Sequence, residues 1–408
     1  MADTRVIPEG QRIQHRDPLR IYVVWHPACA DGRALARSIY DWFHASSTEL
    51  VRAGLGLPVF YRCANSNGTP GVPRHIALVE AEFNVIVPLV DENLVSDPAW
   101  VRYIVDLACE ASTRCAVYPV ALHPSAYRLP APIRRVNYIR VDIPDDSTEQ
   151  AEEARSARRA LRLRRQLTQI CARELEARLA GASEHGDAPP PPLTIFLSHA
   201  KADGVDIAES LKGDINQYGQ LKAYYDQNDL PLGHAFASEL ERAATTGSVA
   251  MLAIFTDAYS TRPWCRREIR LARTPRPDLS SPRRWHTHPV LVVDGLEGSR
   301  TRCVPEFGNV PIVRWRKDAA AEVLDSLVLE LLLSAYHRLR ARAVSDDVGR
   351  HVISWVPDLP TLLELVCHRD AGDMRELVYP GHGIPPYDRD TFARYFATLR
   401  LKTFEEIA

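Results

Sequence analysis

The chain lacks several features that would place it in a specialised class of protein. Its 50 basic and 52 acidic residues nearly cancel, and a net charge of −2 gives no reason to expect binding to nucleic acid or an acidic membrane. Its 8 cysteines include no CxxC pair and no histidine spacing that completes a zinc site. The longest apolar stretch, 323–335, contains Asp325, Ser326 and Glu330, so it is too short and too polar to span a bilayer.

These absences define the expected setting of the protein. Residues 1–18 have no apolar core typical of a signal peptide, and the cysteines are too few for a disulfide framework in a chain of 408 residues. We therefore expect a cytoplasmic protein. We also expect no metal site, because His286 and His288 alternate like a ligand pair but have no third ligand nearby. The length predicts two or three domains.

The clearest break in the chain is a proline-rich linker at 181–192, which ends in four consecutive prolines. The segments on either side of it are alike, because each presents five apolar strands in the same order, a helix after the first strand, and a long closing helix. The expected strands are 21–25, 58–62, 85–90, 117–122 and 137–142 before the linker, and 193–198, 222–226, 249–256, 289–294 and 310–315 after it. The closing helices are expected at 148–180 and 319–343.

This alternation predicts an α/β protein with two tandem flavodoxin-like domains, each containing a five-stranded parallel sheet covered on both faces. The expected domains are 1–180 and 193–343, joined by the linker 181–192. Residues 344–408 are expected to form a small C-terminal α/β module, or a tail packed on the second repeat. Its expected strands are 351–356, 375–379 and 399–404, with helices at 359–368 and 390–395.

Ligands of open α/β sheets bind at the carboxyl ends of the strands. In the second repeat four segments are expected to meet at this edge: the turn 198–203, the loop 226–233, Asp257 and the segment 260–268. We therefore expect a group of polar and apolar side chains from these segments to contact substrate. Its members are Ser198, His199, Asp203, Asp229, Leu230, Asp257 and Trp264.

Glu268 is the best candidate for chemistry. It follows Trp264 by four residues, a spacing that places both on one helical face. An aromatic ring can stack on a nucleotide base, and a carboxylate can stabilise a developing oxocarbenium charge on ribose. Such a site suits cleavage of the nicotinamide–ribose bond of NAD+, because nicotinamide leaves as a neutral molecule and no general acid is needed.

Three segments of the second repeat together resemble the signature regions of the TIR (Toll/interleukin-1 receptor) domain family. They are IFLSHAKAD from Ile195, YYDQNDLPLG from Tyr224 and the S-x3-WCRRE segment that ends at Glu268. The resemblance covers about 193–343 and implies that Glu268 is catalytic, that Trp264 lies at the site, and that NAD+ is a substrate rather than a cofactor. It also implies that the loop 226–233 is the BB loop through which TIR domains self-associate. A bacterial immune or stress effector, such as an antiphage defence protein, that responds to an unknown activating ligand or protein would fit this pattern.

The first repeat departs from the family pattern at three positions. Aligning Trp100 with Trp264 places Ile104 where Glu268 stands, the cysteine that follows the tryptophan is missing as well, and Trp25 replaces Ser198. We therefore expect a degenerate TIR-like domain that serves pairing or regulation.

Two alternatives to the NADase interpretation remain. TIR domains also act as scaffolds or adaptors without activity, so the fold alone does not decide the function. A nucleoside 2-deoxyribosyltransferase-like enzyme would share the architecture and a glutamate at ribose, but it fits the loop 226–233 and the WCRRE segment less well. Among the remaining residues, Cys265 is expected to be buried, and Asp31 and Asp203 are expected to cap the helices that follow them.

Overall fold

The computed structural model describes eleven segments of the chain, to which the following account is confined: 16–44, 55–64, 71–110, 114–142, 152–181, 192–217, 221–225, 248–298, 304–368, 372–381 and 386–407. Within them the strands form three sheets. No helix of these segments is long and apolar enough to cross a membrane.

The first sheet is built from the N-terminal part of the chain. Its strands are β1 (Asp17–Trp25), β2 (Val59–Arg62), β3 (Ala81–Val90), β4 (Cys115–Val117), β5 (Val120–Ala121) and β6 (Ile139–Arg140). The order is β2-β1-β3-β5-β6, with β4 also paired to β3, and every pairing is parallel. The helices are α1 (Gly32–Phe43), α2 (Glu92–Ser96), α3 (Pro98–Cys109) and α4 (Glu152–Leu179).

Helices cover both faces of this sheet. Alternate residues of a strand point to opposite faces. Accordingly Ile21 and Val23 of β1 pack with α1 and α4, whereas Tyr22 and Val24 pack with α3. The fourth strand, expected to be continuous over 117–122, is divided between β4 and β5. Pro119 lies between them and has no N–H to donate to a ladder.

The second sheet repeats this topology. Between the linker and residue 343 the chain forms the following elements in order: β7 (Leu193–His199), α5 (Val205–Gln217), β8 (Leu221–Tyr225), β9 (Ala250–Phe255), α6 (Pro263–Arg273), β10 (Arg276–Asp278), β11 (Ser281–His286), β12 (Val290–Asp294), β13 (Ile312–Arg314) and α7 (Ala320–Ala343). The sheet order is β13-β12-β9-β7-β8, again all parallel. Both sheets thus have the flavodoxin-like order 2-1-3-4-5, and the predicted fold class is confirmed.

The third sheet has the order β10-β11-β14-β15-β16, and it is parallel except between β10 and β11. Its elements after residue 343 are β14 (Arg350–Ile353), α8 (Leu359–Val366), β15 (Glu376–Tyr379), α9 (Pro386–Tyr395), β16 (Arg400–Thr403) and α10 (Phe404–Ile407). The three strands and two longer helices lie where the sequence predicts them. The strands β10 and β11, which follow α6 directly, were not predicted, and they complete this sheet rather than the second one.

The long helices α4 and α7 join the two repeats. Their apolar sides belong to one hydrophobic cluster, in which Leu163 and Leu167 of α4 pack with residues of α7 such as Leu327 and Leu331. An ion pair of 2.6 Å between Arg165 Nε and Asp325 Oδ2 also connects the two helices.

Candidate active site

The helix α6 carries the most distinctive motif of the second repeat. It begins at Pro263, where a proline costs no hydrogen bond because the first helical N–H groups have no partner within the helix. Its buried residues are Cys265, Glu268, Ile269 and Ala272, at the spacing of one helical face. A carboxylate therefore sits on the apolar side of the helix, which faces the sheet.

Glu268 makes a short hydrogen bond to the end of β7. The side chain of Ser198 donates from Oγ to Glu268 Oε2 over 2.5 Å. Ser198 is the penultimate residue of β7 and is 1% exposed, while Glu268 is 7% exposed. The structure thus brings together two predicted site residues that are 70 positions apart in the chain, at the carboxyl edge of the sheet.

Tyr259, which was not among the predicted site residues, completes this polar group. It lies in a 3₁₀ turn at Tyr259–Thr261, after β9, and its hydroxyl is 2.6 Å from Ser198 Oγ. Its burial, followed by the nearby charge of Glu268, raises the pKa of Tyr259 well above its usual value, so the phenol remains neutral. Its position two residues after Asp257 was the available signal, since the turn after a central strand faces the same edge.

Trp264 and His199 lie beside this group. The Trp264 ring is partly buried against the cluster beneath α6, and the guanidinium of Arg267 lies 5.2 Å from the ring centroid. His199 is 7% exposed, and its backbone oxygen accepts a hydrogen bond from Cys265 Sγ over 3.5 Å. Cys265 is 5% exposed, which agrees with the expected buried role.

The two aspartates of this edge hold its loops together. Asp203 accepts from Thr256 Oγ1 over 2.6 Å and from the Ala258 backbone N–H over 2.8 Å. Both of its carboxylate oxygens therefore bond to the loop after β9, rather than acting as the predicted cap of α5. Asp257 accepts from the backbone N–H of Gly298 over 2.8 Å.

The prediction that Asp31 caps the first helix of the chain is wrong. Its side chain makes no capping hydrogen bond and instead accepts from Arg159 Nη1 of α4 over 2.6 Å. The partly buried Arg159 competes for this carboxylate because a charged pair is a stronger interaction than a neutral cap. The predicted site residues Asp229 and Leu230, with the rest of the loop 226–233, lie outside the described residues.

The corresponding position of the first repeat is apolar. Ile104 and Trp100 of α3 are 0% and 1% exposed, and Trp25 at the end of β1 is 5% exposed. The first repeat therefore has a buried isoleucine at the position aligned with Glu268. Trp25, which the sequence aligns with Ser198, belongs to the hydrophobic cluster on the other face of the sheet.

An open cavity of about 510 Å³ lies along the other side of α6. Arg266, Arg267 and Arg270 line it, and Arg266 pairs with Glu306 over 2.7 Å. Glu268 does not line this cavity, which is therefore separate from the buried polar group described above.

The described segments contain no cluster of three or more His, Cys, Asp or Glu side chains that could hold a metal ion. The rings of His286 and His288 are 6.5 Å apart between centroids. Burial, with the charge of Arg338 as the next cause, lowers the pKa of His286 to about 3.

Comparison with known proteins agrees with this description of the second repeat. Residues 195–328 match the TIR domain family, and the protein therefore contains a TIR domain. TIR domains include NAD+-cleaving enzymes and signalling scaffolds. The chain matches no curated protein.

Two solved structures show weak similarity to the chain. A dipicolinate synthase polypeptide from Bacillus halodurans is 10% identical, with 78% of this chain and 98% of that chain covered, at a TM-score of 0.17. The C-terminal domain of glucosamine-fructose-6-phosphate aminotransferase from Francisella tularensis is 12% identical, with 80% and 85% covered, also at 0.17. Similarity at this level carries no argument about fold or function.

Proposed function

We propose that the TIR domain is an NAD+ nucleosidase in which Glu268 stabilises the positive charge that develops on ribose. The observation that carries this proposal is the placement of the Glu268 carboxylate. It is 7% exposed, hydrogen-bonded to Ser198, and located at the carboxyl edge of a parallel sheet within the region that matches the family. Preorganised charge in a site of low dielectric is the strongest general means of stabilising a transition state.

The chemistry requires one carboxylate and no metal. The bond between ribose C1′ and the nicotinamide nitrogen breaks, and its electron pair stays on nicotinamide, which leaves neutral. The carboxylate opposes the oxocarbenium charge left at C1′. Water then attacks C1′ and loses a proton to give ADP-ribose, or an adenine nitrogen of the same molecule attacks to give a cyclic isomer. Trp264 and the turn 198–203 would hold the nucleotide, together with Asp229, Leu230 and Asp257.

We propose further that activity is conditional on self-association of TIR domains through the loop 226–233, in a cytoplasmic bacterial immune or stress effector. The burial of Glu268 supports this, since a carboxylate that is 7% exposed needs a change in its surroundings to reach a substrate. Unregulated NAD+ cleavage would deplete the cell of the cofactor. The activating ligand or protein belongs to the same proposal.

The second candidate function is a scaffold, and the first repeat favours it. That repeat keeps the flavodoxin-like sheet but has buried Ile104 at the position of Glu268, which supports a role in pairing or regulation rather than chemistry. In a scaffold the second repeat would retain Glu268 because its side chain packs and hydrogen-bonds within the fold. The two candidates differ in one observable property, the consumption of NAD+.

The test is NAD+ consumption by the full chain, measured over a hundredfold range of protein concentration. Glu268→Gln keeps the shape of the side chain and removes its charge, and we expect it to lower turnover by about 10²–10³-fold. Glu209→Gln, an exposed glutamate of α5, is the matched control and should retain full activity. Turnover per molecule should rise with concentration. Equal turnover in Glu268→Gln and the parent protein would overturn the assignment, and absence of turnover at every concentration, together with demonstrable self-association, would favour the scaffold.

A further inference from the structure

The Glu268 carboxylate belongs to a hydrogen-bonded series of three polar side chains that lies within an apolar cluster. The series runs from Tyr259 to Ser198 to Glu268, with contacts of 2.6 and 2.5 Å. Tyr259 is 0% exposed, and its ring packs against Phe255 and Phe307, at centroid distances of 6.0 and 6.2 Å. This burial and packing restrain the ring and, with it, the position of its hydroxyl.

The direction of the hydrogen bonds follows from the number of protons available. A serine hydroxyl has one proton, and the short contact to the Glu268 carboxylate uses it. The remaining contact must therefore be donated by the Tyr259 hydroxyl to Ser198 Oγ. Consecutive bonds that point the same way polarise one another, so the tyrosine strengthens the bond that the serine donates to the carboxylate.

We propose that Ser198 and Tyr259 are positioning residues that hold the Glu268 carboxylate, ionised and in one orientation, for the reaction at ribose. The inference rests on the proposed NAD+ cleavage. Ser198 extends from the central strand β7 and Tyr259 from the turn after β9, which pairs with β7, so two neighbouring strands fix a group carried by the helix α6. We refer to the hydrogen-bonded series of Tyr259, Ser198 and Glu268 as the relay. A glutamate side chain has three rotatable bonds, and the hydrogen bond from Ser198 restricts the last of them.

A purely structural role would predict something different. If the three groups only satisfied one another within the core, removing a hydroxyl would lower stability and leave the turnover of the folded protein unchanged. If the hydroxyls position the carboxylate, turnover of the folded protein falls. In a variant that lacks the hydroxyl, the acid limb of the pH–rate profile also moves to higher pH, because the lost hydrogen bond had favoured the ionised form of the carboxylate.

The test compares Ser198→Ala, Ser198→Thr and Tyr259→Phe in the full chain, at the concentration of greatest turnover. Ser198→Ala should lower kcat by about 10–100-fold, the value of a hydrogen bond to a charged group, with a smaller change in KM. Ser198→Thr keeps a hydroxyl and should restore most of this loss. Tyr259→Phe removes the hydrogen bond to Ser198 rather than the bond to Glu268, so it should lower kcat by only about 3–10-fold.

The matched control is Tyr118→Phe in the first repeat. It removes another phenol hydroxyl that donates to a carboxylate, that of Glu174 over 2.6 Å, far from Glu268 in the fold. Its turnover and pH profile should equal those of the parent protein. Melting temperatures of all variants identify any that fail to fold, and Tyr259→Phe, which keeps the packed ring, continues the test if Ser198→Ala is one of them.

The possible outcomes separate the two proposals. If the parent protein is active and Glu268→Gln is not, while Ser198→Ala and Tyr259→Phe retain turnover and an unchanged acid limb, the relay is overturned and the proposed function stands. If the parent protein self-associates but does not consume NAD+ at any concentration, the proposed function is overturned, and the catalytic role of the relay with it. Lost turnover, a shifted acid limb and rescue by Ser198→Thr together support the relay.

Discussion

Introducing a carboxylate into the first repeat by Ile104→Glu tests the structural difference between the repeats. Ile104 is 0% exposed and packs with Trp100, Tyr22 and Val24 in a cluster of apolar side chains. At the aligned position Glu268 receives a hydrogen bond from Ser198, whereas Ile104 lies in an apolar cluster; Trp25, which the sequence aligns with Ser198, packs on the other face of the sheet. The new carboxylate would thus be buried without the donor that the second repeat provides.

The cost of this substitution depends on pH. Burial in an apolar site raises the pKa of a carboxyl by up to about 3–5 units above an unfolded value of about 4.3, so the acid binds its proton more tightly in the folded state. Stability therefore falls by about 1.4 kcal/mol for each pH unit above about 4.3, until the folded pKa is reached. At about pH 7.5 the electrostatic cost is about 4 kcal/mol, to which lost apolar burial adds about 2 kcal/mol.

Urea unfolding of the full chain at about pH 5 and about pH 7.5 measures both contributions. Ile104→Gln, which has the same shape but cannot ionise, should be destabilised by a similar amount at both pH values. Ile104→Glu should lose about 3 kcal/mol more at the higher pH than at the lower. If the two variants showed the same dependence on pH, the site in the first repeat would be open or polar. The alignment of Ile104 with Glu268 would then lose its physical meaning.

Two ion pairs give further predictions. Burial opposes ionisation of Asp278, but hydrogen bonds from Ser280 and Arg342 outweigh it and lower its pKa to about 2. Asp278→Asn should therefore cost about 2 kcal/mol at about pH 7 in urea unfolding, a difference that disappears as the pH falls from about 4 towards about 2. Arg273 of α6 pairs with Asp358 before α8, and both side chains are largely buried. Arg273→Met should lower the free energy of unfolding by about 3 kcal/mol in thermal melts. Adding Asp358→Asn to this variant should recover part of the loss. If the effects of the two substitutions were simply additive, the ion pair would contribute nothing to stability.

The fold could be predicted largely from the sequence because its strongest signals are periodic. Apolar strands alternate with amphipathic helices, and the repetition of the pattern after the proline-rich linker gives a second, independent observation of each element. The long helices expected at 148–180 and 319–343 occur at Glu152–Leu179 and Ala320–Ala343. Their mutual packing was not predictable, since an apolar helix face does not reveal which neighbour covers it.

The third sheet was harder to predict. Residues 276–286 read RPDLSSPRRWH, a polar and proline-containing segment that has none of the apolar character of a central strand. It forms β10 and β11 only because β14 offers an edge on which Arg284 and Trp285 pair with Val352 and Ile353. Pairing between segments so distant in sequence leaves no local periodic signal. The core of this sheet depends on Trp285, which is 1% exposed.

The candidate site was predictable in its parts but not in its connections. The position of Glu268 on α6 and of Ser198 at the end of β7 followed from the expected elements. Their hydrogen bond, and the participation of Tyr259, depend on side-chain directions that only the packed sheet and helix define. Asp203 shows the same limit, since its bonds to Thr256 and Ala258 require two loops to meet.

The contrast between the repeats is also an argument about function. An apolar core is usually more stable than one containing a polar network, because each buried polar group must find a partner or lose several kcal/mol. In the first repeat the corresponding cluster is apolar, with Ile104 and Trp100 both buried in it. The second retains a buried carboxylate and two hydroxyls in the same fold, so stability of the fold alone does not account for them. A polar group that the architecture does not require supports the proposed chemistry at Glu268.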